Sequence, residues 1–220
     1  MVDTQYYRLF GKNLRSLRES LGETVQHFAL DCDCSAYTIQ SYELGRKGPN
    51  TNRLLNICNT KGISPNQLLA GLFPEDTEQA AVSGIQVAFE SLAPVERQKL
   101  SSLFHIFVKS MIDTAPSLVG ADFGTRLHLL RLDTRLSVEE FAARCMIAKS
   151  TLQGYESGQY DPSVPALLQL CSVLEVSPEY LLAMRLKKTS FPNQELLCLR
   201  PRQIRALHTA VLNFINWSNK

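Results

Sequence analysis

No apolar run in this chain approaches the roughly eighteen residues that a membrane span needs, so a membrane protein is not expected. The opening stretch MVDTQYYRLF lacks a positively charged flank followed by an apolar segment, so no signal peptide is read and the expected location is cytoplasmic. A surplus of charge is missing too: 23 basic residues stand against 21 acidic ones, and a net +2 is too small to argue for nucleic acid by itself. Paired cysteine motifs are absent. Cys32 and Cys34 form a lone CxC with His27 as the nearest imidazole, which is too few ligands for zinc. There is no Gly-rich phosphate loop, and His27, His105, His128 and His208 are scattered over different helices without a nucleophile or carboxylate set beside them. The expectation is therefore a chain that is not an enzyme and holds neither metal nor cofactor.

What is present is an internal repeat. Residues 35–45 read SAYTIQSYELG and residues 148–158 read AKSTLQGYESG, so that Thr38, Gln40, Tyr42, Glu43 and Gly45 fall on Thr151, Gln153, Tyr155, Glu156 and Gly158 at one constant offset. A repeat of this kind marks each copy as one structural unit. With 220 residues and 45% hydrophobic composition, two small globular domains are expected, each just large enough to hold a core. Cys32 and Cys145 occupy one repeated position and Cys58 and Cys171 another, all on apolar helical faces where a thiol serves as a small hydrophobe.

Helical spacing runs through both copies, and nothing reads as a strand. A first helix is expected from about Gln5 to Leu21, with Phe10, Leu14, Leu17 and Leu21 inward and Arg8, Lys12 and Arg15 outward. Gly22 ends it, and Thr24 caps a second helix over Val25 to Asp31. In the second copy Ser137 and Glu140 form a capping box at the same place. A turn at Cys32 to Ser35 leads to a third helix from Ala36 to Leu44, closed by Gly45. Thr51 to Thr60 and a Ser64-Pro65 start give a fourth and a fifth. Two short helices joined by such a turn make a helix-turn-helix. Amphipathic helices opened by Pro94 and Pro201 trail the two copies. The expected divisions are 5–72, the first helix-turn-helix domain; 73–116, a linker and trailing helix; 117–186, the second domain; and 187–220, a linker and C-terminal helix.

Both copies resemble the phage-repressor and Cro type of helix-turn-helix domain, also called XRE-type, over about Phe10 to Leu72 and Phe123 to Met184. The resemblance rests on LRSLRESLGETVQHFA, TIQSYELGRKGPN and LLNICNTKGISPNQLL, matched by LHLLRLDTRLSVEEFA, TLQGYESGQYDPS and LLQLCSVLEVSPEYLL. It implies an all-α chain with two lambda-repressor-like five-helix domains, each followed by an amphipathic helix. It also implies that Arg18 with Glu43, and Arg131 with Glu156, are buried ion pairs that orient the first and third helices. Tyr42 and Tyr155 read as core aromatics rather than base-stacking platforms. Val25 and Val138 stand where many members carry a phosphate-bracing glutamine, and Asp31, Asp33 and Asp161 put carboxylates near the expected phosphate approach.

Recognition helices enter the major groove with their N-terminal residues on base edges. The expected DNA-facing sets are Ala36, Tyr37, Gln40 and Ser41 in the first copy and Lys149, Ser150, Gln153 and Gly154 in the second, with Arg46 and Lys47 on phosphates. Charge supports an unequal pair: residues 8–72 carry +3 and residues 121–185 carry −2. The leading expectation is a sequence-specific regulator of transcription bound to double-stranded DNA, with a homodimer through the trailing helices as an option and no effector legible. The alternative is an antiactivator-like interaction protein that keeps the fold without strong DNA binding, suggested by the acidic second copy and by Tyr37 and Tyr160.

Overall fold

The structure, a computed structural model, describes residues 2–74, 78–114, 118–187 and 194–218. The acidic Glu75 and Asp76 of the first linker and residues 188–193 of the second lie outside the described residues. The first copy comprises α1 (Val2–Ser20), α2 (Val25–Asp31), α3 (Ala36–Glu43), α4 (Thr51–Lys61) and α5 (Pro65–Leu68). Next come α6 (Glu78–Glu90) and α7 (Pro94–Thr114). The second copy is α8 (Phe123–Asp133), α9 (Val138–Arg144), α10 (Lys149–Glu156), α11 (Val164–Leu174) and α12 (Pro178–Leu182). A 3₁₀ turn at Gln194–Cys198 then leads into α13 (Pro201–Ser218). The fold is all-α among the described residues, as the periodicity requires.

α10, which follows Ala148, has no capping side chain, but the other short helices of the two copies start on one that accepts an amide proton the first turn leaves unpaired. Thr24, Ser35, Asn50 and Ser64 do this in the first copy, and Asp122, Ser137, Ser163 and Ser177 in the second. The caps set the helix ends, and the apolar faces then close a core of Phe10, Leu14, Phe28, Ile39 and Leu54 against its counterpart of Leu127, Phe141, Leu152 and Leu167. The four repeated cysteines are buried thiols in that core. Leu21 departs from expectation: it is exposed, because α1 ends at Ser20 and the chain turns at Gly22 before Leu21 can reach the core.

Gly11 and Gly124 occupy one repeated position, where α1 and α8 cross the end of α3 and α10. A Cβ there would lie 2.3 Å from the Tyr42 carbonyl oxygen and 2.4 Å from that of Glu156. Glycine is what lets these backbones approach.

The two copies dock on one another, and the docking has a pattern. Counterpart residues are 113 positions apart, as Asn66 and Glu179 are, and these two meet: the Glu179 amide donates to Asn66 Oδ1 at 3.0 Å. Asn50 and Ser163, again counterparts, form an isolated antiparallel bridge. Thr51 Oγ1 donates to the Pro162 carbonyl at 2.5 Å, and Asn59 Nδ2 to that of Arg185 at 3.0 Å. Ser64 and Ser177, also counterparts, each donate a hydroxyl hydrogen bond to a buried carboxylate: Ser64 to Glu179, and Ser177 to Glu78 at the start of α6. The trailing segments pack on their own chain, α6 against α13 and α7 against the 3₁₀ turn and α6. Between α7 and α13 runs an apolar groove of 460 Å³, lined by residues that include Leu103, Phe104, Phe107 and Phe214.

Candidate nucleic-acid interface

The third helix of each copy is seated from inside. In α3, Ile39 and Tyr42 enter the core, and Arg18 closes a two-pronged pair with Glu43, Nε to Oε1 at 2.6 Å and Nη2 to Oε2 at 3.1 Å. In α10, Leu152 and Tyr155 are buried and Arg131 meets Glu156 in the same way, at 2.6 and 3.2 Å. His128 Nδ1 adds a contact to Glu156 Oε2 at 3.0 Å. Burial pushes the Glu156 carboxyl up, but the hydrogen bonds from Arg131 and His128 outweigh this and hold it below its ordinary value. Both pairs are largely shielded from water, and they fix the angle at which α3 and α10 leave the body of the domain.

The turn before α3 is tied from α4. Arg53 Nη1 donates to the carbonyls of Cys32 and Asp33 at 3.1 and 2.6 Å, and Asn56 Nδ2 to that of Cys32 at 2.9 Å. Asp33 and its counterpart Met146 both take left-handed backbone, with φ of 51° and 54°. The turn therefore has the same shape in both copies even though neither carries glycine there.

The outward faces are laid out as follows. Tyr37 is 67% exposed, Gln40 is exposed and Ala36 half-buried, with Arg46 and Lys47 exposed just beyond the helix. In the second copy Lys149, Ser150 and Gln153 are exposed. Two members of the expected sets are not on the surface. Ser41 is 3% exposed, because the chain after Gly45 folds back: Arg46 N donates to the Ser41 carbonyl at 3.0 Å, and Lys47 Nζ lies 5.6 and 5.8 Å from the ring centres of Tyr42 and Tyr37. Gly154, the counterpart of Ser41, is buried under Tyr160, whose ring would stand 2.0 Å from a Cβ at that position. Gln40 and Gln153, one turn along from Tyr37 and Ser150, stay on the surface.

Charges around the two helices differ more than the totals suggest. Gly45 packs on the backbone of Arg8, so the exposed Arg8 borders the turn that carries Arg46 and Lys47. Lys12 and Arg15 are exposed on α1, Arg15 paired to Glu19 at 2.8 Å, so that α1 and the turn after α3 together carry five basic side chains. Their counterparts are Ala121, Thr125, His128, Gln159 and Tyr160. All five lysines and arginines have gone. Lys149 at the head of α10 is itself engaged by Glu139 at 2.5 Å, and that hydrogen bond holds the Glu139 carboxyl below its usual range.

Of the carboxylates near the expected phosphate approach, Asp31 is paired with Lys61 and Asp161 with Arg185. Glu23, His27 and Asp31 converge on the surface of α2, but the Lys61 ammonium already sits 2.6 and 2.7 Å from the two carboxylates and fills the place a cation would take. No helix among the described residues is long and apolar enough to cross a membrane.

Short helices joined by a tight turn, with the third braced from beneath, define a helix-turn-helix domain, and the chain has two. Two family models match it, each described as a helix-turn-helix domain, over residues 11–72 and 122–183. The chain carries two helix-turn-helix domains in tandem, an arrangement consistent with regulators of the XRE type. No curated protein and no solved structure matches it.

Proposed function

We propose that the protein is a sequence-specific DNA-binding regulator of transcription that lays α3, and with it α10, in the major groove. The observation that carries this reading is the pairing of an outward-facing, internally braced α3 with the basic rim of Arg8, Arg46 and Lys47. Tyr37 and Gln40 in the first domain and Lys149, Ser150 and Gln153 in the second face the bases, while the rim meets phosphates. Glutamine pairs with adenine through two hydrogen bonds, and lysine reaches the acceptors of guanine. The chain acts by binding rather than by catalysis.

Equilibrium binding to random duplex over a salt series tests it. Each phosphate neutralised contributes about −0.9 to the slope of log K against log salt, so affinity falls steeply as salt rises. Absence of duplex binding at low salt overturns the reading. One observation favours a regulator that acts through a protein partner instead. Ile106, Phe107 and Trp217 are 63%, 60% and 74% exposed on α7 and α13, more apolar surface than helices of a monomer usually leave in water.

A further inference from the structure

A repeated domain can follow its twin head to tail or face it across a two-fold axis. These arrangements leave different signatures, because only on a two-fold axis does a residue meet its own counterpart. Asn66 meets Glu179, and Asn50 meets Ser163. Off the axis the neighbourhoods recur with the copies exchanged. Asn59 and Asn52 bond to Arg185, and their counterparts Ser172 and Pro165 line one crevice with Leu72, the counterpart of Arg185. The two domains thus face each other as the subunits of a symmetric dimer do, although they are one chain. The same exchange carries α3 onto α10, whose bounds of 36–43 and 149–156 are also 113 residues apart.

Size then limits the spacing of the two helices. A compact chain of this length has a radius of gyration of about 17 Å. Two turns of B-DNA measure about 68 Å and one turn about 34 Å, so only the single-turn spacing fits within the molecule.

The faces so related are unlike. Gln40 and Gln153 are counterparts, but Ala36 and Tyr37 stand where Lys149 and Ser150 do. None of the five lysines and arginines on α1 and the turn after α3 has a lysine or arginine as its counterpart in the second copy.

Resting on the DNA-binding reading, we propose that a single chain occupies one continuous duplex site made of two unlike half-sites whose centres lie about 10 base pairs apart. An adenine under each glutamine is common to both halves. A guanine under Lys149 marks the second, and a thymine methyl against Ala36 and Tyr37 marks the first. The first domain supplies the phosphate grip as well as its own base contacts, and the second, fixed in register by the docking, adds a different set.

A spacing series tests this on a site recovered by selection from random duplexes. Inserting five or ten base pairs between the half-sites weakens binding by about a hundredfold, because the linked second contact is lost, and titration gives one chain per duplex. Affinity unchanged within a few fold after either insertion would overturn the proposal by showing loosely tethered domains or use of one domain alone. Two chains per site would overturn it as well. Failure to bind any duplex at low salt is a separate outcome, which removes the DNA reading itself and the proposal with it.

Discussion

Glu78 offers the most quantitative test of how the halves are held together. Its carboxylate is fully buried at the head of α6 and accepts from the Ser177 amide at 3.0 and 3.2 Å and from the Ser177 hydroxyl. Burial pushes its pKa from 4.5 up to about 7, against the hydrogen bonds from Ser177 and the positive field of Arg126, which pull it down. Because the folded-state pKa is the higher one, the stability it brings is fully present below about pH 4.5 and is lost as pH rises to about 7. At about 1.4 kcal/mol per pKa unit the loss totals roughly 3 kcal/mol, of which roughly 2 to 3 falls between pH 5 and pH 8. Glu78→Gln keeps an oxygen to accept from Ser177 and removes the titration. Urea unfolding of both proteins across that range should show the variant gaining on the wild type by this amount as pH increases. Two stability curves running parallel in pH would refute the assignment.

Further consequences concern the recognition helices and their supports. Gly11→Ala and Gly124→Ala each force a methyl against the backbone at the end of a recognition helix and should cost about 1–3 kcal/mol, read from urea midpoints at constant m-value. Glu43→Gln leaves the Arg18 charge shielded without its partner and should cost roughly 3–5 kcal/mol in the same assay. Replacing Arg46 and Lys47 together by alanine should reduce the salt slope of duplex binding by about two, for specific and random DNA alike. Lys149→Ala with Gln153→Ala should lower specific binding more than random binding, measured by competition. An unchanged footprint after all four substitutions would reject the residue assignment and leave the fold intact.

The sequence carried the helices well because their signals are local. Ser35, Ser64, Ser137 and Ser177 stand at helix starts and Gly45 closes a recognition helix, so each boundary is written within a few residues of itself. The outward set was legible as far as Tyr37 and Gln40, but not at Ser41 and Gly154, since the chain that covers them arrives from beyond the helix end. The docking of the domains left little trace. It runs through Asn50, Asn59, Ser64 and Asn66, small polar residues that look like ordinary helix caps and surface, and through a glutamate in what reads as an acidic linker. Arg8 faced outward in the periodicity, yet only the packing of Gly45 on its backbone joins it to Arg46 and Lys47. The loss of five basic residues in the second copy needed no coordinates, only a comparison of counterparts one by one.

Selection of binding sites from random duplexes by the whole chain decides whether its two domains read one asymmetric site. An asymmetric sequence in two parts is expected, about one helical turn from centre to centre, with an adenine at matching places and different neighbours in each part. A perfect palindrome, a single short element, or no enrichment at all would contradict it.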